Sequence, residues 1–249
     1  MKFINKSLVA VLLATGSLPA LAAEGDYVSF GAGVLLFDQV YEGSDADVVG
    51  FPFVQGQYGD FFLQGLTMGW SFLREDAYRV SLLGNFRLNS LESGDLDPAL
   101  AIDERKRTFE AGVGVTMPLG ERLLLDSHAL FDVLDRHGGY ELGLRLSRPT
   151  IVGDFLLAPN IGVSLLSEDF TAYYYGLKPG EAGFAGGYEP GNVVVPQLGF
   201  SAIYPITPSW TATGLLGARY LGSDIEDSPL VDAEWESTLF LGVSYRLPL

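Results

Sequence analysis

The sequence predicts an all-β chain closed into a transmembrane antiparallel β-barrel of the bacterial outer-membrane type. Three observations predict it. The chain opens on an export signal. The remainder alternates polar and apolar residues with a period of two. Tyrosines and tryptophans gather at the ends of the alternating segments.

The export signal comes first in the chain. Lys2 and Lys6 bracket a basic start, and Ser7 to Leu18 is an apolar run too short to cross a membrane as a helix. Pro19 breaks the run, and Ala20-Leu21-Ala22 is a small-x-small cleavage pattern. Residues 1–22 are therefore expected to be a cleaved secretory signal peptide, and residues 23–249 a single barrel domain. No later segment is apolar for long enough to form a spanning helix, so a membrane-embedded mature chain must cross with strands.

Alternation then marks the strands in order. Segments 27–37, 48–58 and 60–72 are strand-like and less cleanly two-faced. In 77–90, Tyr78, Val80, Leu82, Phe86 and Leu88 share one face, while Arg79, Ser81, Asn85, Arg87 and Asn89 share the other. Segments 107–117, 121–134, 140–147, 151–165, 194–204, 209–220 and 234–247 repeat the pattern. Most are longer than the roughly 5–6 residues of a soluble strand and suit the roughly 9–11 that a tilted strand needs to cross a bilayer. Tyr27, Tyr58, Trp70, Tyr78, Tyr140, Tyr204, Trp210, Tyr220, Trp235 and Tyr245 read as two aromatic girdles. A secreted β-sandwich alternates too, but strand length and girdles favour the barrel. The segments number eleven, whereas bacterial single-chain barrels have even counts. Twelve strands are the preferred count and ten the alternative. The uncertain places are 38–76 and Phe170 to Tyr175, which could extend or add a strand.

Connections are uneven. Met117-Pro118-Leu119-Gly120 and Pro205-Ile206-Thr207-Pro208 are tight, while 90–104, 167–192 and 222–233 are long and acidic. Short turns at one rim and long loops at the other suit an outer-membrane barrel.

Charge and composition exclude several functions. The formal net charge of −16 argues against a nucleic-acid partner, and the absence of Cys removes disulfides, thiolate metal sites and Cys nucleophiles. With the polar face inward, the lumen is expected to hold a charge network of Arg79, Arg87, Arg122, Arg145, Arg219 and Arg246 with Asp126, Asp132 and Glu236, joined by Glu110, Glu141 and Glu234. Buried charges need partners, so salt-bridge ladders that fill a narrow lumen are expected. Asp126, His128 and Asp132 share a face and could form a general base, but a structural role is the favoured reading. Ser127 and His128 are adjacent and point to opposite faces. There is no nucleophile elbow, zinc-helix motif or phosphate loop. No catalytic residue, cofactor or metal is expected.

Several fragments, in order along the chain, resemble the MipA/OmpV family of outer-membrane proteins. They are Tyr41-Glu42-Gly43-Ser44-Asp45, Pro52 followed by Tyr58-Gly59-Asp60-Phe61-Phe62, His137-Gly138-Gly139, Tyr173-Tyr174-Tyr175-Gly176, and Tyr220-Leu221-Gly222-Ser223-Asp224 with Asp227-Ser228-Pro229-Leu230-Val231. Gly242-Val243-Ser244-Tyr245-Arg246 resembles the family's last strand, although the chain departs in ending on Leu249. The resemblance implies an outer-membrane location in a Gram-negative cell, among lipid and lipopolysaccharide. It also implies a non-catalytic scaffold in peptidoglycan (murein) synthesis, linking a lytic murein transglycosylase to a penicillin-binding protein. A porin-like permeability barrel, or an adhesin acting through its long loops, is the alternative. Tyr41, Gly43, Ser44, Asp45, His137, Gly138, Gly139, Tyr174, Tyr175, Gly176, Asp227, Ser228 and Pro229 form the motif or contact set. Loop Ser, Asp and Pro are turn formers first.

Overall fold

Inward-facing polar residues and outward-facing apolar ones can both be satisfied only by a sheet that closes on itself, because an open edge in lipid leaves backbone groups unpaired. The computed structural model describes residues 25–38, 40–41, 47–91, 102–181 and 185–249, and it shows that closure. The sheet runs through β1 (Tyr27–Phe37), β2 (Asp47–Tyr58), β3 (Phe61–Gln64), β4 (Thr67–Glu75), β5 (Tyr78–Arg87), β6 (Thr108–Leu119) and β7 (Leu123–Asp132). It continues through β8 (Tyr140–Ser147), β9 (Thr150–Val152), β10 (Phe155–Leu166), β11 (Val193–Pro205), β12 (Trp210–Tyr220) and β13 (Trp235–Pro248). Every pairing is antiparallel, and β13 pairs with β1 from Tyr27↔Pro248 to Phe37↔Thr238 to close the ring.

The barrel has twelve strands, because β8 and β9 are two pieces of one. Both pair with β10 in a single continuous register, Ser147 opposite Asn160 and Thr150 opposite Leu157. The break falls at Pro149, which has no N–H to donate, while Arg148 N still donates to Pro159 O at 3.0 Å. The strand that the alternation did not separate lies in 60–72. A turn at Gly65-Leu66, with Gly65 at φ 62°, folds that stretch into the short hairpin β3–β4. Phe170 to Tyr175 does not add a strand: it belongs to helix α1 (Glu168–Tyr175), whose N-cap Ser167 accepts from Phe170 N. A second short helix, α2 (Ser223–Glu226), sits in the β12–β13 loop.

The faces separate cleanly. Outward Ile161, Leu198 and Leu241 are 64%, 52% and 54% exposed, as lipid-facing side chains are without their lipid. Inward Ser81, Glu110, Glu141, Ser164, Ser201 and Glu236 are buried. The aromatic girdles are visible as contacts: Phe61 on Trp70, Trp210 on Tyr245 and Phe155 on Tyr204 toward the short-turn rim, Tyr220 on Trp235 and Phe131 on Tyr140 toward the other. The start of β1 and the end of β13 lie at the short-turn rim, where Leu249 N donates to Asp26 O at 3.1 Å. Residues 1–22, and Gly43, Ser44 and Asp45 of the first motif, lie outside the described residues.

Candidate functional site: the loop cap and the charge network beneath it

The described parts of the long loops bury a hydrophobic core of their own over the barrel mouth, built from Tyr41, Leu91, Ile102, Phe170, Tyr174, Tyr175, Leu177, Leu221, Ile225, Leu230 and Val231 among others. Helix α1 is its centre. Ser167 caps the helix and accepts Tyr140 N at 2.9 Å, which fastens α1 to the top of β8. Thr171 Oγ1 donates toward Pro190 O at 2.9 Å and Gly191 O at 2.8 Å, pinning the far end of the same loop.

Four motif residues meet in this core. Tyr41 stacks on Tyr175 with ring centroids 6.3 Å apart, and its hydroxyl donates to Tyr174 O at 3.3 Å. Ser228 Oγ donates to Tyr175 O and accepts Leu230 N at 3.2 Å. Tyr41 also bridges Val231, so segments far apart in sequence are tied to α1. Gly176 ends the helix, its N–H donating to Ala172 O at 3.1 Å. Asp227 and Pro229 flank Ser228, and Asp227 is exposed. Burial raises the ionisation range of the Tyr41, Tyr174 and Tyr175 phenols, so all three remain neutral.

The His-Gly-Gly turn is organised by Asp132. Its carboxylate accepts Leu134 N at 3.0 Å, His137 N at 2.7 Å and Gly138 N at 3.0 Å, along with Arg136 N and the Thr108 hydroxyl. Gly138 is left-handed at φ 64°. Gly139 is required by close approach, since a Cβ there would lie 2.3 Å from Ser167 Oγ and 2.6 Å from Phe170 N. The His137 ring then stands edge-on to Phe170 at 4.9 Å and tilts against Tyr174 at 5.7 Å.

Beneath the cap lies the most buried charge cluster among the described residues. Arg87 pairs with Glu110 at 2.7 Å and with Glu141 at 2.6 Å, all three nearly inaccessible. Asn85 donates to Glu110 at 2.9 Å and Ser164 to Glu141 at 2.8 Å. The Arg87 guanidinium sits 4.7 Å from the Phe170 ring centroid, so the network and cap share one contact. His137 Nε2 is 3.4 Å from Glu110 and His128 Nε2 3.5 Å from Glu141, electrostatic contacts without a directed hydrogen bond.

The other lumen candidates separate by depth. Arg219 pairs with Glu236 at 3.4 Å, and Arg145 pairs with Asp126 at 2.9 Å, which also accepts Thr116 Oγ1 at 2.8 Å. Arg246 packs on the Tyr27 ring at 4.4 Å. Arg79 faces inward beside Arg74, with no carboxylate at ion-pair distance among the described residues. Arg122 is not luminal: it occupies the exposed turn between β6 and β7, where the alternating pattern has already ended. Glu234 likewise precedes β13 and is exposed. Asp126, His128 and Asp132 share the inward face but serve three separate networks.

Sequence reasoning missed Arg105 and Glu181. Arg105 donates to Asp103 O at 2.8 Å, Gly176 O at 3.3 Å and Glu181 Oε2 at 2.8 Å, crossing two loops. Burial alone would raise the Glu181 carboxyl, but the Arg105 hydrogen bond and the Lys178 and Asp103 backbone N–H groups bring it down to about 2. Neither residue alternates with a strand, so no periodic signal marks them.

An antiparallel barrel with a lipid-facing apolar wall, aromatic girdles and long loops gathered at one rim is an outer-membrane β-barrel. Residues 30–247 match the family described as MltA-interacting protein MipA, and the chain belongs to that family. It is 28% identical over 243 residues to the MltA-interacting protein of Escherichia coli (strain K12), covering 96% of each chain. It is 29% identical over 196 residues to the outer membrane protein OmpV of Vibrio cholerae, covering 77% of this chain and 76% of that one. It is also 29% identical over 264 residues to the outer membrane protein Omp26La of Vibrio anguillarum, covering 99% and 100%. The protein is located in the outer membrane. In such barrels the short turns face the periplasm and the long loops the outside.

Proposed function

We propose that this chain is a non-catalytic outer-membrane scaffold of murein synthesis, whose periplasmic turns hold a lytic murein transglycosylase and, with it, a penicillin-binding protein. The observation that carries this reading is the buried loop core at the barrel mouth. The loop core is buried over the barrel mouth and the Arg87 cluster beneath it is nearly inaccessible, which disfavours an open pore. The motif tyrosines are spent on that core, so they are poor candidates for contact with a periplasmic enzyme. The name of the Escherichia coli relative supports a transglycosylase as the partner class.

The test is site-specific photocrosslinking in intact cells from the periplasmic turns, at Glu121, Asp154 and Thr207, with Asp227 of the outer loops as control. Crosslinks to a transglycosylase from the turns and none from Asp227 are expected. Turns that capture no murein enzyme would overturn the proposal. Planar-bilayer recording of the folded barrel separates the porin reading, for which steady single-channel conductance is required.

A further inference from the structure

The outer rim is not uniform in charge. On the β12–β13 side, the loop that follows Tyr220 carries exposed Asp224, Asp227, Asp232 and Glu234 and no Lys or Arg. On the β6–β8 side the balance differs. The cations of the described outer loops are Arg105, Lys106, Arg107, Arg136 and Lys178. Three of them are already matched: Arg105 with Glu181 at 2.8 Å, Lys178 with Asp103 at 2.6 Å and Lys106 with Glu104 at 3.5 Å. Arg107 and Arg136 are exposed, and neither enters an ion pair among the described residues. Of the two carboxylates beside Arg136, Asp132 accepts the backbone of its own turn. Asp135 folds back toward Gly138, its Oδ1 4.0 Å from where a Cβ would stand.

Asp132 also gathers the two cations. Its carboxylate accepts the Thr108 hydroxyl through Oδ1 and Arg136 N through Oδ2. Arg107 precedes Thr108, so both guanidiniums rise from backbone held around one carboxylate. Val133 N donates to Phe109 O at 3.1 Å, which keeps β6 and β7 joined up to this level. Thr108 and His137 are buried, whereas their neighbours Arg107 and Arg136 are exposed. Directly below, Phe131, Val133 and Leu134 are 50%, 52% and 51% exposed on the lipid-facing wall, and the Phe131 ring lies 6.0 Å from that of Tyr140 in the outer girdle. Such girdles mark the membrane–water interface. The two guanidiniums therefore stand at head-group level, above the acyl region of the outer leaflet.

We propose that Arg107 and Arg136 form a binding site for the phosphorylated head group of lipopolysaccharide, with its acyl chains against Phe131, Val133 and Leu134. A guanidinium matches phosphate oxygens with paired N–H donors, and cations at a membrane interface attract anionic head groups. A cationic pair directly over an apolar wall suits one amphiphile, whereas a small soluble anion would use only the upper part. The site lies at the rim opposite the periplasmic turns and is independent of the scaffold reading.

The experiment titrates the full mature barrel, folded in detergent micelles, with bis-phosphorylated lipid A and counts bound lipid by native mass spectrometry. Arg107→Ala combined with Arg136→Ala should weaken binding roughly tenfold or more. Arg122→Ala combined with Arg148→Ala, exposed cations nearer the short-turn rim, should leave it unchanged. Arg107→Lys with Arg136→Lys keeps the charge and should retain most of the affinity. Lipid A stripped of its phosphates should bind the wild type as weakly as the phosphorylated lipid binds the alanine pair. Arg107→Gln with Arg136→Gln repeats the measurement if the alanine pair does not fold. Equal affinity of the wild-type and doubly substituted barrels for lipid A, or equal affinity of the wild type for lipid A with and without phosphates, would overturn the proposal. Displacement of the lipid by inorganic phosphate at matching concentration would overturn it too, and assign the pair to a free anion.

Discussion

The two halves of the barrel use the same chemistry at different depths. In the outer half, Arg87 and its two glutamates are almost wholly out of water and roofed by Phe170. In the periplasmic half, Arg145 and Asp126 keep some solvent, and at the rim Arg74 and Asp60 are 41% and 53% exposed. A charge pair deep in a barrel is a commitment: either partner alone is costly, whereas at the rim water replaces a lost partner. The outer half is thus the end where a lost charge partner costs most, and the periplasmic half the end where it costs least.

That contrast can be broken in order of expected effect. Arg87→Ala strands two buried carboxylates and should cost about 3–5 kcal/mol, read from urea unfolding of the barrel in micelles. Equal losses for Arg87→Ala and Arg145→Ala would erase the distinction. Gly139→Ala places a Cβ against the Phe170 backbone, which yields less than a side-chain tip. It should cost about 1–3 kcal/mol, with new protease cleavage in the 167–192 loop. Tyr41→Phe removes only the hydroxyl bonded to Tyr174 O, and about 0.5–1.5 kcal/mol is expected by the same unfolding assay. At the small end, Arg74→Ala should change stability by about 1 kcal/mol or less.

Acid gives a separate test of the cap. The Glu181 carboxyl is held at about 2, against an ordinary value of 4.5. A depressed carboxylate contributes fully above its unfolded value, and that contribution is lost as pH falls through the folded value. The cap should therefore loosen between about pH 4.5 and 2, followed by the near-ultraviolet circular dichroism of its tyrosines. Glu181→Gln should show no such step; an identical acid transition in the variant would remove Glu181 from the cap's balance.

What could be read from the sequence was what repeats. Alternation separated the faces of β5, β7 and β13 because each residue's side follows from its neighbour's. It did not separate β3 from β4, since 60–72 mixes polar and apolar residues on both faces and the turn is carried by one left-handed glycine. The run Phe170 to Tyr175 is rich in aromatic residues, which suit strands. Its helix comes from the Ser167 cap and from burial against the mouth, a tertiary effect that outweighs local preference. The motif residues could be found one by one, but not their meeting. Tyr41 and Tyr175 touch only because the strands between them bring their loops to one rim.

The seam between β1 and β13 has a temporal consequence. It joins Tyr27 to Pro248 and Phe37 to Thr238, pairing the first and last of the described strands. No part of that pairing can form until the last strand has been delivered. Closure is then the most non-local event in folding and pays the largest loop-closure entropy. Until it happens, both edges are unpaired, and a chain shortened by its final strand would keep them so. Completion of the wall is thus tied to the arrival of β13, the strand that pairs with β1 to close the ring.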